Sequence, residues 1–114
     1  MSNDKKVSEP EKKLIAALRM ASTKALACIN DKTHDNTRWQ LAEIAIVLRD
    51  RMHGIRGGTV QISPKALPAC IAEVTQVSDA ADDADNGPHF DRVVIEGNQA
   101  IQMIDSSDTS VIAG

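Results

Sequence analysis

Apolar residues return every three or four positions through the first half of the chain, a period that predicts helix. Leu14, Leu18, Ala21, Ala25 and Cys28 mark one stripe running to about Ile29, with Ile15, Ser22 and Ile29 beside it. Ser8-Glu9-Pro10-Glu11, just ahead, has the order of a capping box and places its proline in the first turn, where no amide hydrogen is needed. The polar stretch Asn30 to Asn36 reads as a loop, and Thr37-Arg38-Trp39-Gln40 offers a second capping box. From about Arg38 to His53 a second stripe follows, Leu41, Ile44, Ala45, Leu48 and Met52, with Trp39, Ala42 and Ile46 as a further apolar edge. A helix apolar over that much of its circumference is expected to be covered on two sides, and Gly54 supplies a C-terminal stop.

Beyond Gly57-Gly58 the period shortens. Thr59-Val60-Gln61-Ile62 alternates and is β-branched, which predicts a short strand. A helix follows to about Ser78 on Leu67, Cys70, Ile71, Val74 and Val77; it starts either at Ser63-Pro64 with a kink or at Pro68 after a separate turn. Asp79 to Pro88 is acidic, ends in Asn86-Gly87-Pro88 and reads as a loop, because carboxylates oppose the dipole at a helix C-terminus. Arg92 to Glu96 and Gln99 to Ile104 flank Gly97-Asn98, the pattern of a two-residue type II′ hairpin. In that register Val93, Ile95, Ala100 and Ile104 share one face, and Val94, Ile101 and Met103 the other. A ribbon apolar on both faces needs a second covering surface, and this predicts an interface with another chain.

The expected fold class is therefore α+β, an N-terminal helical hairpin followed by a β-α-β-β unit with a small, mostly antiparallel sheet. Residues 1–8 form a flexible tail, 9–104 one domain, and 105–114 a tail or short added strand. The length of 114 residues fits a single core. Trp39 and Phe90 are the sole aromatic residues, so aliphatic side chains must fill that core, and a homo-oligomer would bury more surface than one small copy can. The polar opening Met1 to Glu9 has no apolar core of a leader, and no run approaches the ~20 apolar residues of a membrane span. A cytoplasmic protein without membrane contact is expected, and the separated Cys28 and Cys70 read as small buried hydrophobes in a reducing compartment.

The net charge of -3 conceals a division. Residues 1–57 hold eleven Lys and Arg against seven Asp and Glu, whereas residues 58–114 hold two against nine. Such halves either complement each other or mark separate basic and acidic contact faces. Arg49, Arg51, His53 and Arg56 beside two glycines form the candidate partner- or anion-binding segment, since guanidinium groups match phosphate oxygens in bidentate geometry. Cations near a helix C-terminus also serve the dipole alone. Asp79, Asp82, Asp83 and Asp85 form the candidate acidic contact loop. As a calcium loop it fails, because aligning Gly87 with the sixth position leaves Ala84 third and Val93 twelfth.

Catalytic signatures are missing. There is no G-x-x-x-x-G-K-[ST], G-x-G-x-x-G or G-x-S-x-G pattern, and His34, His53, His89, Cys28 and Cys70 have no metal-site spacing. Neither a cofactor, a metal nor an enzymatic activity is expected. The acidic pI of about 5.5 and the lack of aromatic residues to spare argue against a stacking nucleic-acid surface. The expected function is that of a non-enzymatic oligomeric interaction protein, a small regulator or inhibitor that occupies a partner's surface. The alternatives are a binder of a nucleotide or nucleic acid through Arg49 to Arg56, and a structural subunit of a larger assembly.

Overall fold

The computed structural model describes residues 7–30, 33, 35–84 and 90–110. It is a bundle of four helices, α1 Glu9–Ala27, α2 Asp35–Gly57, α3 Leu67–Ala84 and α4 Phe90–Ser107. The α+β expectation is thereby overturned. Among the described residues the only β pairing is an isolated antiparallel bridge between Ile62 and Asp108.

The first helix follows its sequence closely. Ser8 accepts from the Glu11 amide at 3.2 Å and the Glu11 carboxylate accepts from the Ser8 amide at 3.0 Å, so the capping box is complete. Leu14, Leu18, Ala21 and Ala25 are buried, and Cys28 caps the far end. The turn that follows is tied by side chains. The buried Thr33 hydroxyl donates to the Cys28 carbonyl at 2.8 Å, and Arg38 reaches back to the carbonyls of Asn30 and Thr33. Ser8→Ala should cost about 1 kcal/mol, read as a lower urea midpoint with unchanged slope, and Ser8→Asn should restore it.

Helix α2 runs through Gly54 instead of stopping there. The stop comes at Gly58, whose φ of 84° suits glycine. Gly54 serves a different purpose, because a Cβ there would lie 2.5 Å from Val60 Cγ2 of the returning chain. A turn at Ser63 to Ala66 precedes α3, so Pro68 falls in the first helical turn and breaks no hydrogen bond. Helix α3 continues past Ser78 to Ala84, which places Asp79, Asp82 and Asp83 on a helix and not in a loop. The buried stripe Val74, Val77, Ala81 and Ala84 carries it there. Lys24 and Arg92, at 2.7 Å from Asp82 and 3.7 Å from Asp83, offset the unfavourable dipole.

The largest correction concerns α4. Val93, Gly97, Ala100 and Ile104 are all buried at spacings of four and three, so the supposed hairpin is one helix with one core stripe. Gly97 is no turn residue. It sits where α4 crosses α2, and a Cβ on it would lie 2.6 Å from Ile44 Cγ2.

Helix α1 packs on α2 and α3, and α4 packs on the same two, so α1 and α4 are diagonal, as are α2 and α3. Lys24 and Asp82 join the C-terminal ends of α1 and α3; Arg51 and Asp105 join those of α2 and α4. Each of these pairs runs in one direction, antiparallel to the other. Two hairpins, α1–α2 and α3–α4, thus form two layers around one core. The diagonal connection between α2 and α3 is pinned to the end of α4, where Ser63 donates to the Ser107 carbonyl and Thr109 to that of Gln61. Asp108 accepts from the Gln61 amide and from the Ser110 amide and hydroxyl. Residues 105–107 therefore complete α4, and 108–110 close the base of the bundle over the buried Ile62.

Candidate interaction surface

Because α2 persists to Gly57, Arg49, His53 and Arg56 do share an exposed flank. Arg51 does not. Two residues along an α-helix turn the side chain by about 200°, and Arg51 faces α4. Its Nε donates to Asp105 Oδ1 at 2.7 Å and its Nη2 to Asp105 Oδ2 at 3.1 Å, while Nη1 donates to Asp50 Oδ2 at 2.7 Å. The Asp105 hydrogen bond lifts this guanidinium above its ordinary pKa. An incoming phosphate would have to displace both carboxylates, so the four-residue cluster of the sequence divides into a committed Arg51 and an open trio.

Above that trio on the outer side of α2 stand Trp39 and Ile46, seven residues apart and therefore on one stripe. They are 77% and 67% exposed. Among the described residues the apolar edge of α2 is thus uncovered, and none of them supplies the second covering element expected there. Met20 and Leu26 on α1 are exposed large apolar residues of the same layer. A bundle helix ordinarily keeps such residues inward.

The acidic residues lie on the other layer. Asp79, Asp82 and Asp83 are exposed near the C-terminal end of α3; Asp85 lies outside the described residues. On α4 Val94 is buried, and Ile101 and Met103 are half-buried against the core. These three were expected at an interface because a flat ribbon would have exposed them. Once the segment is a helix their burial is internal, and that argument for an oligomer lapses. Ile95, 54% exposed, is the one large apolar residue that α4 turns fully outward among the described residues.

Layer by layer, α1 and α2 carry eight Lys and Arg against five Asp and Glu, and α3 and α4 carry one against seven. The charge division along the sequence becomes a division across the bundle. Between α2 and α4 a cleft of about 340 Å³ has a floor of Ile44, Val47 and Ile101 under Gln40, Glu43 and Asn98, and Arg51 closes one end.

Sequence reasoning missed one further pair. Glu73 of α3 hydrogen-bonds Glu96 of α4, with Glu73 Oε2 buried and lacking a partner. Burial first, then the hydrogen bond to Glu96 and repulsion from it, raise the Glu73 carboxyl to about 7. Its position between Cys70 and Val74 on an apolar stripe was the available signal. Glu96 could be placed opposite it only once α4 was a helix.

Among the described residues no three His, Cys, Asp or Glu side chains converge as a metal site. Nor is any of the described helices long and apolar enough to cross a membrane. No protein-family model, curated protein or solved structure matches the chain.

Proposed function

We propose that this protein is a non-enzymatic interaction module that docks the outer face of its α1–α2 layer on an acidic partner surface, as a small regulator or inhibitor does. The observation that carries the reading is the exposed Trp39–Ile46 stripe set beside the open guanidinium groups of Arg49 and Arg56, with His53 between them. Tryptophan and arginine are the side chains that most often supply binding energy at a protein interface, and a surrounding cationic rim steers an acidic partner. The ordered core beneath keeps the face rigid, so little entropy is lost on docking. The buried Cys28 and Cys70 thiols fit a reducing, cytoplasmic setting.

Affinity capture from a lysate of the source cells tests the reading. Wild-type protein should retain a defined set of partners, Trp39→Asp and Arg49→Glu should lose them, and Gln76→Ala on the other layer should keep them. A Trp39 anchor is worth about 2 kcal/mol or more, so Trp39→Ala should weaken binding roughly 30-fold. Equal capture by wild type and Trp39→Asp, or no capture of any protein, further copies of this chain included, overturns the reading.

A further inference from the structure

We infer that the acidic surface which fits the α1–α2 face is the α3–α4 face of a second copy of this chain, docked head to tail with the two bundle axes antiparallel. This inference rests on the α1–α2 face being the docking surface, and it names the occupant.

Charge decides between the two ways in which copies can meet. A symmetric dimer through either layer brings like against like: two α1–α2 layers, each with an excess of Lys and Arg, or two α3–α4 layers, each with an excess of Asp and Glu. Like charges brought together in a desolvated contact are costly. Only the heterologous contact sets the exposed Arg49 and Arg56 against the exposed Asp79 and Asp83. The ends of the bundle then set the orientation. Arg49 and Arg56 lie toward the C-terminal end of α2, and Asp79 and Asp83 toward the C-terminal end of α3, at opposite ends of the molecule. Reversing one bundle against the other superposes these ends over the full length of the layer.

The surface is large enough. One long face of a body measuring 45 × 29 × 25 Å offers on the order of 1,000 Å², against about 800 Å² per partner in a standard interface. Trp39 and Ile46 become covered on one copy, and Ile95 adds an apolar contact from the other. In a pair one copy keeps an unused α1–α2 face and the other an unused α3–α4 face, so association continues beyond a dimer into a ring or an open filament. The contact is electrostatic at its rim and must weaken as salt shortens the Debye length.

Light scattering after size exclusion, with sedimentation velocity, tests this directly. At about 20 mM salt the wild-type mass should grow with protein concentration, and at about 500 mM it should fall to that of one chain. Trp39 is the sole tryptophan, so assembly should shift its emission to shorter wavelength. Arg49→Glu with Arg56→Glu, and separately Asp79→Lys with Asp83→Lys, should each remain single chains. All four positions are exposed, and the one ion pair lost, Asp83 with Arg92, is a 3.7 Å surface contact whose removal is offset by the favourable placing of a lysine at a helix C-terminus, so the fold should be preserved. Mixed in equal amounts, the two variants should assemble again, because each reversed face now meets its opposite. A wild type that stays a single chain at low salt overturns the self-docking, and so does a closed symmetric dimer with no association of the mixed variants. If a foreign partner is still captured through Trp39 in the first case, the interaction reading stands without it; if Trp39→Asp changes neither assembly nor capture, both fall.

Discussion

Gly97→Val should lower the unfolding free energy by about 3 kcal/mol or more, a large effect for a single substitution. The reason is local and specific. A Cβ at Gly97 would stand 2.6 Å from Cγ2 and 3.0 Å from Cδ1 of Ile44, which is itself buried. Ile44 is branched at Cβ, so its Cγ2 cannot move aside without leaving its helical rotamer. Gly97→Ala gains about 0.5–1 kcal/mol from helix propensity but forfeits about 1–3 through overpacking, for a smaller net loss. Valine adds two methyl groups to the same clash. Thermal unfolding should register the change as a fall of about 10–20 °C.

The diagnostic experiment is a double-mutant cycle. A glycine in a type II′ turn would also suffer from substitution, but removing Ile44 would not relieve it. In a helix crossing, Ile44→Ala makes the room that the added methyl group needs, and the pair Gly97→Ala with Ile44→Ala should show about 1–3 kcal/mol of favourable coupling. Independent, additive effects would mean that α2 and α4 do not cross at Gly97.

The second large effect depends on pH. Glu73 has an ordinary carboxyl value of 4.5 and stands at about 7 in the folded chain. Between those values the folded state holds more protons than the unfolded one, so stability falls as pH rises through the window and the cost is complete above about pH 7. After allowance for solvent screening at a half-buried site, the cost is about 1–2 kcal/mol. Glu73→Gln removes the titration and can still donate a hydrogen bond to Glu96. Its melting temperature should exceed the wild type by about 5–10 °C at pH 8 and differ little at pH 5. Coincident pH profiles for the two proteins would show that the carboxyls do not share a buried contact. Asp108 acts in the opposite sense and in another window. Burial raises its pKa, but hydrogen bonds from Ser110 and Gln61 outweigh that and hold it below 3.8, so its contribution is lost only as pH falls past that range.

The pairing of Glu73 with Glu96 and of Gly97 with Ile44 shows why half of the chain was readable and half was not. The first helix carries its own instructions. Its capping box, its stripe and the Cys28 end all act within a few residues, and each stands where the pattern placed it. Helix α4 carries misleading ones. Val93-Val94-Ile95 has strand propensity, and Gly97-Asn98 has the composition of a turn. Both are weak local preferences, worth less than the burial of Val93, Ala100 and Ile104 in the α2–α3 groove. The acidic run after Ser78 misled in the same way. Its dipole penalty is offset by Lys24 and Arg92, which lie elsewhere in the chain.

The contact surface divides likewise. Arg49 and His53 were legible on one helical face from their spacing, whereas Arg56 joined them only because α2 runs on through Gly54, and the withdrawal of Arg51 depended on Asp105 of another helix. Trp39 and Ile46 were visible as an apolar edge, but their exposure followed from α3 and α4 taking the remaining sides of the bundle. Sequence by itself determined the helical identity of α1, most of α2 and the first part of α3, the burial of their stripes, and the unequal charge of the two halves, since each depends on spacing or composition alone. Tertiary structure alone decided that the last segment is a helix, that a glycine is a crossing point, and that the charge division faces outward on opposite sides. Those outcomes depend on which distant side chain fills the space beside a residue, and short-range preferences of a few tenths of a kcal/mol give way to that packing.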